Sequence, residues 1–339
     1  MKQAMWMASC DIAVDSFFTL SGLLLVYTTV NKMKQTSLLR SLPWFYLSAS
    51  LRLFPAAGDC SAAASVADAP VRVPFWYLSV DMQLHVVSPL VLFWVLGSRR
   101  AAWAALAAAL LASPPLPSPF ATSEAIEKIN EYSVYYYCNT LMRSPPFFIG
   151  MLFGYILHVC RGQKIKLPQW VTIPCHTLSF ATFAFVIYVV YPSMQADWNN
   201  HFADSMNKSF RRPGWSLALC WMIFACAHGY GGPVNWFLSL GLWKFVARIS
   251  YAMYLFHTLL QDINIAAVVT PIYFNMGTLF FSFASDLGYT VVFSTAMCIL
   301  IEEPALTLQK KLLTGYFEQD KKTENEHKPT SVSEQHEEK

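Results

Sequence analysis

Charge is what this sequence has least of. Asp, Glu, Lys and Arg make up 13% of its 339 residues, whereas a soluble domain carries about 25%. Those charges also crowd into residues 318–339 and into short clusters, leaving long stretches upstream almost without any. A soluble globular domain is excluded by that distribution, which is the one a bilayer imposes. No continuous basic face exists either, because Lys and Arg lie between apolar runs, so nucleic-acid binding is excluded as a reading. The eight cysteines (Cys10, Cys60, Cys138, Cys160, Cys175, Cys220, Cys226 and Cys298) show no CxxC or Cys/His spacing. Several fall inside apolar runs as small hydrophobes, so they indicate neither a disulfide framework nor a metal site.

What the sequence has in quantity is apolar length. Hydrophobic residues make up 55% of the chain and aromatics 15%. About 20 apolar residues in helix cross the hydrocarbon core. Runs of about that size occur at 12–30, 75–96, 101–118, 145–160, 171–191, 214–230, 249–270 and 279–301, of which 101–118 and 145–160 are the shortest. The expected fold is therefore all-α, a polytopic transmembrane helical bundle with about eight clear spans. The first run is read as a retained span, because Asp11 and Asp15 precede its apolar centre and no small-residue cleavage pattern follows.

Lys and Arg at span ends set orientation. Lys32, Lys34 and Arg40; Arg99 and Arg100; Arg161, Lys164 and Lys166; Lys244 and Arg248; and Lys310 and Lys311 mark cytoplasmic ends. The connections at 119–144 and 192–213 then face outward, and the second holds the glycosylation acceptor pattern Asn207-Lys208-Ser209. These assignments require one more crossing between 41 and 74. That stretch offers only a modest apolar segment interrupted by Arg52, so the ninth crossing reads as missing or degenerate. Residues 1–315 form the expected membrane domain, incomplete at its N-terminus and between 56 and 75, and 316–339 form a charged cytoplasmic tail expected to be disordered.

Ionisable residues inside a span are expensive, and they usually face the bundle interior. Tyr77, Asp81, His85 and Ser88 fall within an arc of roughly 80° on one helix, with Gln83 well away from it. Ser250, Tyr254, His257, Gln261 and Asn264 form a second stripe of similar width, and Asp15, Thr19 and Gly22 form a smaller third face. The first two stripes suggest a shared hydrated cavity. On the third, the glycine permits close helix approach, and Asp15 is placed to pair with an arginine or to accept hydrogen bonds. The plainer reading is that such stripes only hydrogen-bond helices to one another, at about 0.6–2 kcal/mol per bond.

Several blocks carry a family likeness. Val14-Asp15-Ser16-Phe17-Phe18-Thr19-Leu20-Ser21-Gly22 resembles the VDxFFxLSG block of the acyltransferase-3 family of multispan membrane enzymes. Leu51-Arg52-Leu53-Phe54-Pro55 resembles its LRLxP element, and Trp76-Tyr77-Leu78-Ser79-Val80-Asp81-Met82-Gln83 resembles the WYLxxDMQ element of the animal, nose-resistant-to-fluoxetine-like branch. The likeness continues through Arg143, Ile149 to Tyr155, His228 to Asn235 and Arg248 to His257, and ends at Glu303-Pro304. It runs from about residue 11 to 315.

The resemblance implies transfer of an acyl group from a donor such as acyl-CoA to a hydroxyl or amine acceptor. Acyl-CoA is the implied donor substrate, and no resident cofactor is expected. Such chemistry needs a base and a group that holds the developing oxyanion. The implied roles are Arg52 on the donor's anionic part, Asp81 orienting a base, Tyr77 donating a hydrogen bond and His257 moving a proton. Asp15, Arg143, His85 and Tyr254 are expected at the substrate. Membrane lipids, the acyl donor and an unidentified acceptor are the expected partners, in the plasma membrane or endoplasmic reticulum.

The sequence departs from the family at Ala49, where a further Arg is usual, and in the short link from Pro55 to Trp76, where relatives carry another span. Family members also generally begin earlier, with a helix bearing the histidine regarded as the base, so the chain reads as N-terminally truncated. A non-enzymatic protein that binds or moves lipids or xenobiotics is the competing reading.

Overall fold

The computed structural model describes residues 11–32, 38, 42, 46, 75–113, 139–163, 165–189, 191, 201–267, 275–307 and 311. Among these residues the regular structure is entirely helical. In chain order the helices are α1 (Asp11–Lys32), α2 (Phe75–Val95), α3 (Arg99–Ala112), α4 (Thr140–Val159), α5 (Gln169–Tyr188), α6 (His201–Ala227), α7 (Gly232–Leu238), α8 (Gly241–Ala266) and α9 (Met276–Met297). A π-helical turn, Cys298–Glu302, follows α9. The described residues fall into two units, one holding those up to Leu42 and from Phe75 to Lys244, the other holding Tyr46 and those from Phe245 onward.

Four helical segments are long and apolar enough to cross a membrane: Ile12–Asn31, Tyr77–Val95, Gln169–Tyr188 and Met276–Thr307. A fifth appears if Ser209–Ala227 and Gly232–Leu238, bent by 88°, count as one broken span. Four to five segments among the described residues thus meet the requirement, where the apolar runs suggested about eight. The physical reasons differ from helix to helix. α3 has 14 residues, about 21 Å of helix against a core of roughly 30 Å. α4 is long enough but carries Arg143, Pro145 and Pro146 in its first turns, and α8 carries Lys244, Arg248 and Asp262. The expected crossing between 41 and 74 lies outside the described residues, apart from Leu42 and Tyr46.

α1 is the hub of the first unit. An added Cβ on Gly22 would lie 2.1 Å from the Phe147 carbonyl oxygen of α4, and one on Gly150 would lie 2.1 Å from the Thr19 oxygen of α1. A Cβ on Gly154 would come within 2.4 Å of the Leu23 oxygen. Backbone therefore packs on backbone along this seam, which only glycine allows. Leu23, Ile149 and Cys220 meet in a small core where α1, α4 and α6 converge, with Leu110 of α3 against it.

Residue pairing fixes the directions. Asp15 meets Arg143 near one end of α1 and Asn31 meets His158 and Arg161 at the other, so α1 and α4 are parallel. Thr19 with Ser216, and Phe18 with Tyr77 followed by Ser21 with Asp81, make α6 and α2 parallel to α1 as well. α5 runs against α6, since Phe183 meets Trp215 and His176 meets Trp221. The lysines and arginines demanded the same directions from these helices, including the parallel relation of α1 and α2 that called for a ninth crossing.

Proline inside helices recurs with a common remedy. Proline has no N–H, so the carbonyl four residues earlier loses its helical donor. Pro89 thereby frees the His85 carbonyl, and the Ser88 hydroxyl donates to it at 2.8 Å. Pro145 frees Leu141, which accepts from Ser144 at 2.8 Å, and Pro146 frees Met142, which accepts from Arg212 Nη1 of α6 at 3.0 Å. At the α6–α7 bend the chain turns through Gly229 (φ 83°) and Gly232 (φ 47°), backbone geometry that favours glycine. Tyr230 anchors that bend, its hydroxyl donating to the Ile165 carbonyl and accepting from the Leu167 N–H.

Candidate active site

The most deeply buried charge in the first unit is the pair between Asp15 and Arg143, both fully inaccessible. Arg143 Nη1 donates to Asp15 Oδ1 at 2.7 Å, and Arg212 Nε stands 3.7 Å from Asp15 Oδ2. Around them, Thr19 donates to the Asp15 carbonyl and is 2.9 Å from Ser216, Ser216 bonds the Arg212 carbonyl, and Trp215 donates to Ser16. A buried carboxylate shared by two guanidiniums ties three helices together. The sequence placed Asp15 and Arg143 at the substrate. The structure brings them together, fully buried, where with Arg212 they tie α1, α4 and α6.

The neighbouring polar face is different because it remains partly open. Ser21 of α1 donates to Asp81 Oδ1 of α2 at 3.0 Å. His85 lies one turn further along α2, its Nδ1 3.4 Å from Asp81 Oδ2 and 2.9 Å from the Asp81 backbone carbonyl. The His85 and Asp81 side chains are 19% and 18% exposed, against zero for Asp15 and Arg143. The fully buried Phe147 ring of α4 stands edge-on to His85 at 5.8 Å. Tyr77 packs on Phe18 at 4.7 Å and Phe17 at 6.2 Å, one turn below Asp81 on the same stripe. Ser88, the fourth member, is buried and serves the carbonyl that Pro89 freed. Gln83 sits off this face and bridges to Thr140 of α4.

The second stripe belongs to the second unit. His257 Nδ1 lies 2.6 Å from the Tyr254 carbonyl and 3.1 Å from that of Met253, all on α8. Among the described residues no carboxylate stands within ion-pair distance of His257, in contrast to His85. Tyr254 lies 5.8 Å from the His257 ring, and Asn264 donates to Asp286 of α9 at 2.7 Å. An apolar cavity of about 340 Å³ opens beside Asn264, lined by side chains that include Leu260, Val292 and Phe293. Arg248 pairs with Glu303 at 2.8 Å.

Arg52 lies outside the described residues. Asn207 was expected in an outward connection at 192–213, but it sits within α6, its side-chain oxygen buried. Three participants escaped the sequence reading. Ser21 stood inside a quoted block without any sign of its partner, Arg212 lay in a stretch read as connection, and Asp286 interrupts an apolar run.

A family model of the acyltransferase domain matches residues 2–301. The chain belongs to the acyltransferase-3 family. It is similar to Nose resistant to fluoxetine protein 6 of Caenorhabditis elegans, with 26% identity over 236 residues, which is 64% of this chain and 28% of that protein. The chain thus spans less than a third of that relative's length. No solved structure matches. With its apolar helices, this acyltransferase-3 chain is an integral membrane protein. Its family blocks coincide with its interhelical contacts: Asp15, Thr19, Ser21 and Gly22 on α1, Asp81 on α2, and Arg143, Gly150 and Gly154 on α4.

Proposed function

We propose that this protein transfers an acyl group from a thioester donor of the acyl-CoA type to a hydroxyl or amine acceptor, at the partly open face between α1 and α2. The observation that carries this reading is the Ser21–Asp81–His85 arrangement: a carboxylate held by a hydroxyl from another helix, on a membrane helix, with access from outside the protein core. Carboxylates are costly at such depth, and the structural ion pair of this unit is already supplied by Asp15 and Arg143. Asp81 is then free for a functional task.

Acyl transfer needs a group that takes the acceptor's proton and donors that steady the oxyanion at the thioester carbonyl. Asp81 orients the first, and Tyr77, one turn away, is placed to serve as one of the donors. Arg52 would receive the donor's anionic part.

Membranes containing the protein should move label from [14C]acetyl-CoA into solvent-extractable lipid or small-molecule products, and Asp81→Ala should abolish this while leaving the protein inserted. If wild-type membranes transfer no label above a membrane control, with acetyl-, palmitoyl- and oleoyl-CoA all tried, the acyl-transfer reading fails.

A further inference from the structure

We propose that the end of the first unit formed by α1, α3 and α4 binds the headgroup of an anionic phospholipid, its phosphate seated between Arg161 and the arginine pair that opens α3. The proposal is independent of the acyl-transfer reading. α3 and α4 run antiparallel: Trp103 meets Tyr155 at 5.3 Å, and Leu110 packs on the core that holds Ile149. Arg99 lies one turn beyond Trp103, and His158, whose ring stacks on Tyr155 at 6.4 Å, lies one turn beyond Tyr155. Arg161 follows directly after α4. Arg99, Arg100, His158 and Arg161 therefore crowd one level, at the end that the lysine and arginine clusters assign to the cytoplasm.

Arg161 is exposed yet held in place. Its Nη1 donates to Asn31 Oδ1 of α1 at 2.8 Å, and its guanidinium lies over the Tyr27 ring, 6.0 Å from the centroid. His158 Nδ1 stands 3.1 Å from the same Oδ1. Asn31 Nδ2 donates in turn to the Tyr27 carbonyl, which fixes the amide with its oxygen toward Arg161 and His158. A guanidinium carries five N–H donors in a fork that matches phosphate oxygens, and a single bond to Asn31 positions that fork without using it up. The described carboxylates of this unit, Asp11, Asp15, Asp81 and Asp204, sit toward the N-terminal ends of the parallel helices α1, α2 and α6, at the opposite side of the bundle. The level of Arg161 is thus strongly basic, and the cytoplasmic leaflet supplies anions of matching charge.

The helix below the charges favours a lipid over a soluble phosphate. Arg100, Trp103, Ala104, Ala107 and Leu111 recur at helical spacing on one exposed side of α3, Trp103 being 43% and Leu111 83% exposed. Below Arg100 that side is apolar throughout, and in a membrane protein it faces acyl chains. Trp103 stands one turn under the arginines, where an indole ring suits the headgroup boundary. A phospholipid matches both parts at once, with its phosphate at the arginines and an acyl chain along α3.

The test measures lipid binding to the whole chain, purified in detergent, by native mass spectrometry with dioleoyl phosphatidylglycerol and dioleoyl phosphatidylcholine, which share their acyl chains. Wild type should bind the anionic lipid more tightly by roughly tenfold or more. Arg99→Gln, Arg100→Gln and Arg161→Gln together should weaken that binding by roughly 100-fold, at about fivefold per arginine, and leave phosphatidylcholine binding unchanged. Lys244→Gln, which removes an exposed charge from α8, should change it less than twofold. Should the triple variant not stay monodisperse, Arg99→Gln with Arg100→Gln, both exposed at the start of α3, should still weaken binding by roughly 25-fold. A monodisperse variant that binds phosphatidylglycerol within twofold of wild type overturns the proposal, and so does equal affinity of wild type for the two lipids. Displacement of the lipid by an equal concentration of coenzyme A or sn-glycerol 3-phosphate would give the arginines to a soluble phosphate, which overturns it as well.

Discussion

Asp15 of α1 and Arg143 of α4 form a 2.7 Å ion pair with no exposed atom on either side chain, so the packing of the two helices and the burial of the two charges depend on each other. Removing one partner strands the other. Asp15→Ala should destabilise the folded protein by about 3–5 kcal/mol, read as a lowered temperature of loss of the monodisperse peak after heating in detergent. The double variant Asp15→Leu with Arg143→Met should recover only part of that loss, since Arg212, 3.7 Å from the same carboxylate, loses its counter-charge as well.

The glycine seam gives a steric prediction with its own control. Gly22→Ala and Gly150→Ala would each place a Cβ 2.1 Å from a backbone oxygen across the seam, which forces α1 and α4 apart. Each should cost about 1–3 kcal/mol. At Gly214 the nearest atom to an added Cβ is Thr182 Cγ2 at 3.6 Å, an ordinary contact. Gly214→Ala should leave thermal stability in detergent unchanged.

Ser88 and Pro89 should behave as a unit. Ser88→Ala leaves the His85 carbonyl without the donor it gained at 2.8 Å, at a cost of about 1–3 kcal/mol for a buried acceptor. Pro89→Ala returns a backbone N–H to that carbonyl. In the Pro89→Ala background, Ser88→Ala should therefore cost much less, and a double-mutant cycle on thermal stability measures the difference.

The Arg248–Glu303 pair should matter little to stability. Its side chains are 69% and 41% exposed, and exposed pairs contribute about 0–1 kcal/mol. Arg248→Ala should leave the thermal midpoint within about 2 °C of wild type at physiological salt.

Asn207 satisfies a three-residue acceptor pattern, but it lies inside α6 with its side-chain oxygen buried. A glycosylated asparagine belongs to a surface loop rather than to a helix. Asn207→Gln should not alter electrophoretic mobility, and endoglycosidase treatment should not either.

Much of the local architecture was legible in sequence because its causes are local. Apolar runs marked helices, and Lys32, Arg99, Arg100 and Arg161 gave directions that the parallel α1, α2, α4 and α6 share. The arc of Tyr77, Asp81, His85 and Ser88 followed from 3.6 residues per turn, and the separation of Gln83 from it recurs in its bond to Thr140. The number of spans was harder to judge, because run length ignores where Arg143 or Lys244 falls within a helix.

Sequence alone thus determined the solvent, the helical class, the family and the chemistry-bearing residue types, since hydropathy, periodicity and motif order are written along the chain. Only the tertiary structure decided which of those residues meet. Asp15 and Arg143 are 128 positions apart, Ser21 and Asp81 are 60, and Thr19 and Ser216 are 197. At such separations no local spacing records a partner, and the close approach of backbones at Gly22 and Gly150 selects the pairing. That packing sealed Arg143 inside the bundle and left His85 beside Asp81 at its edge.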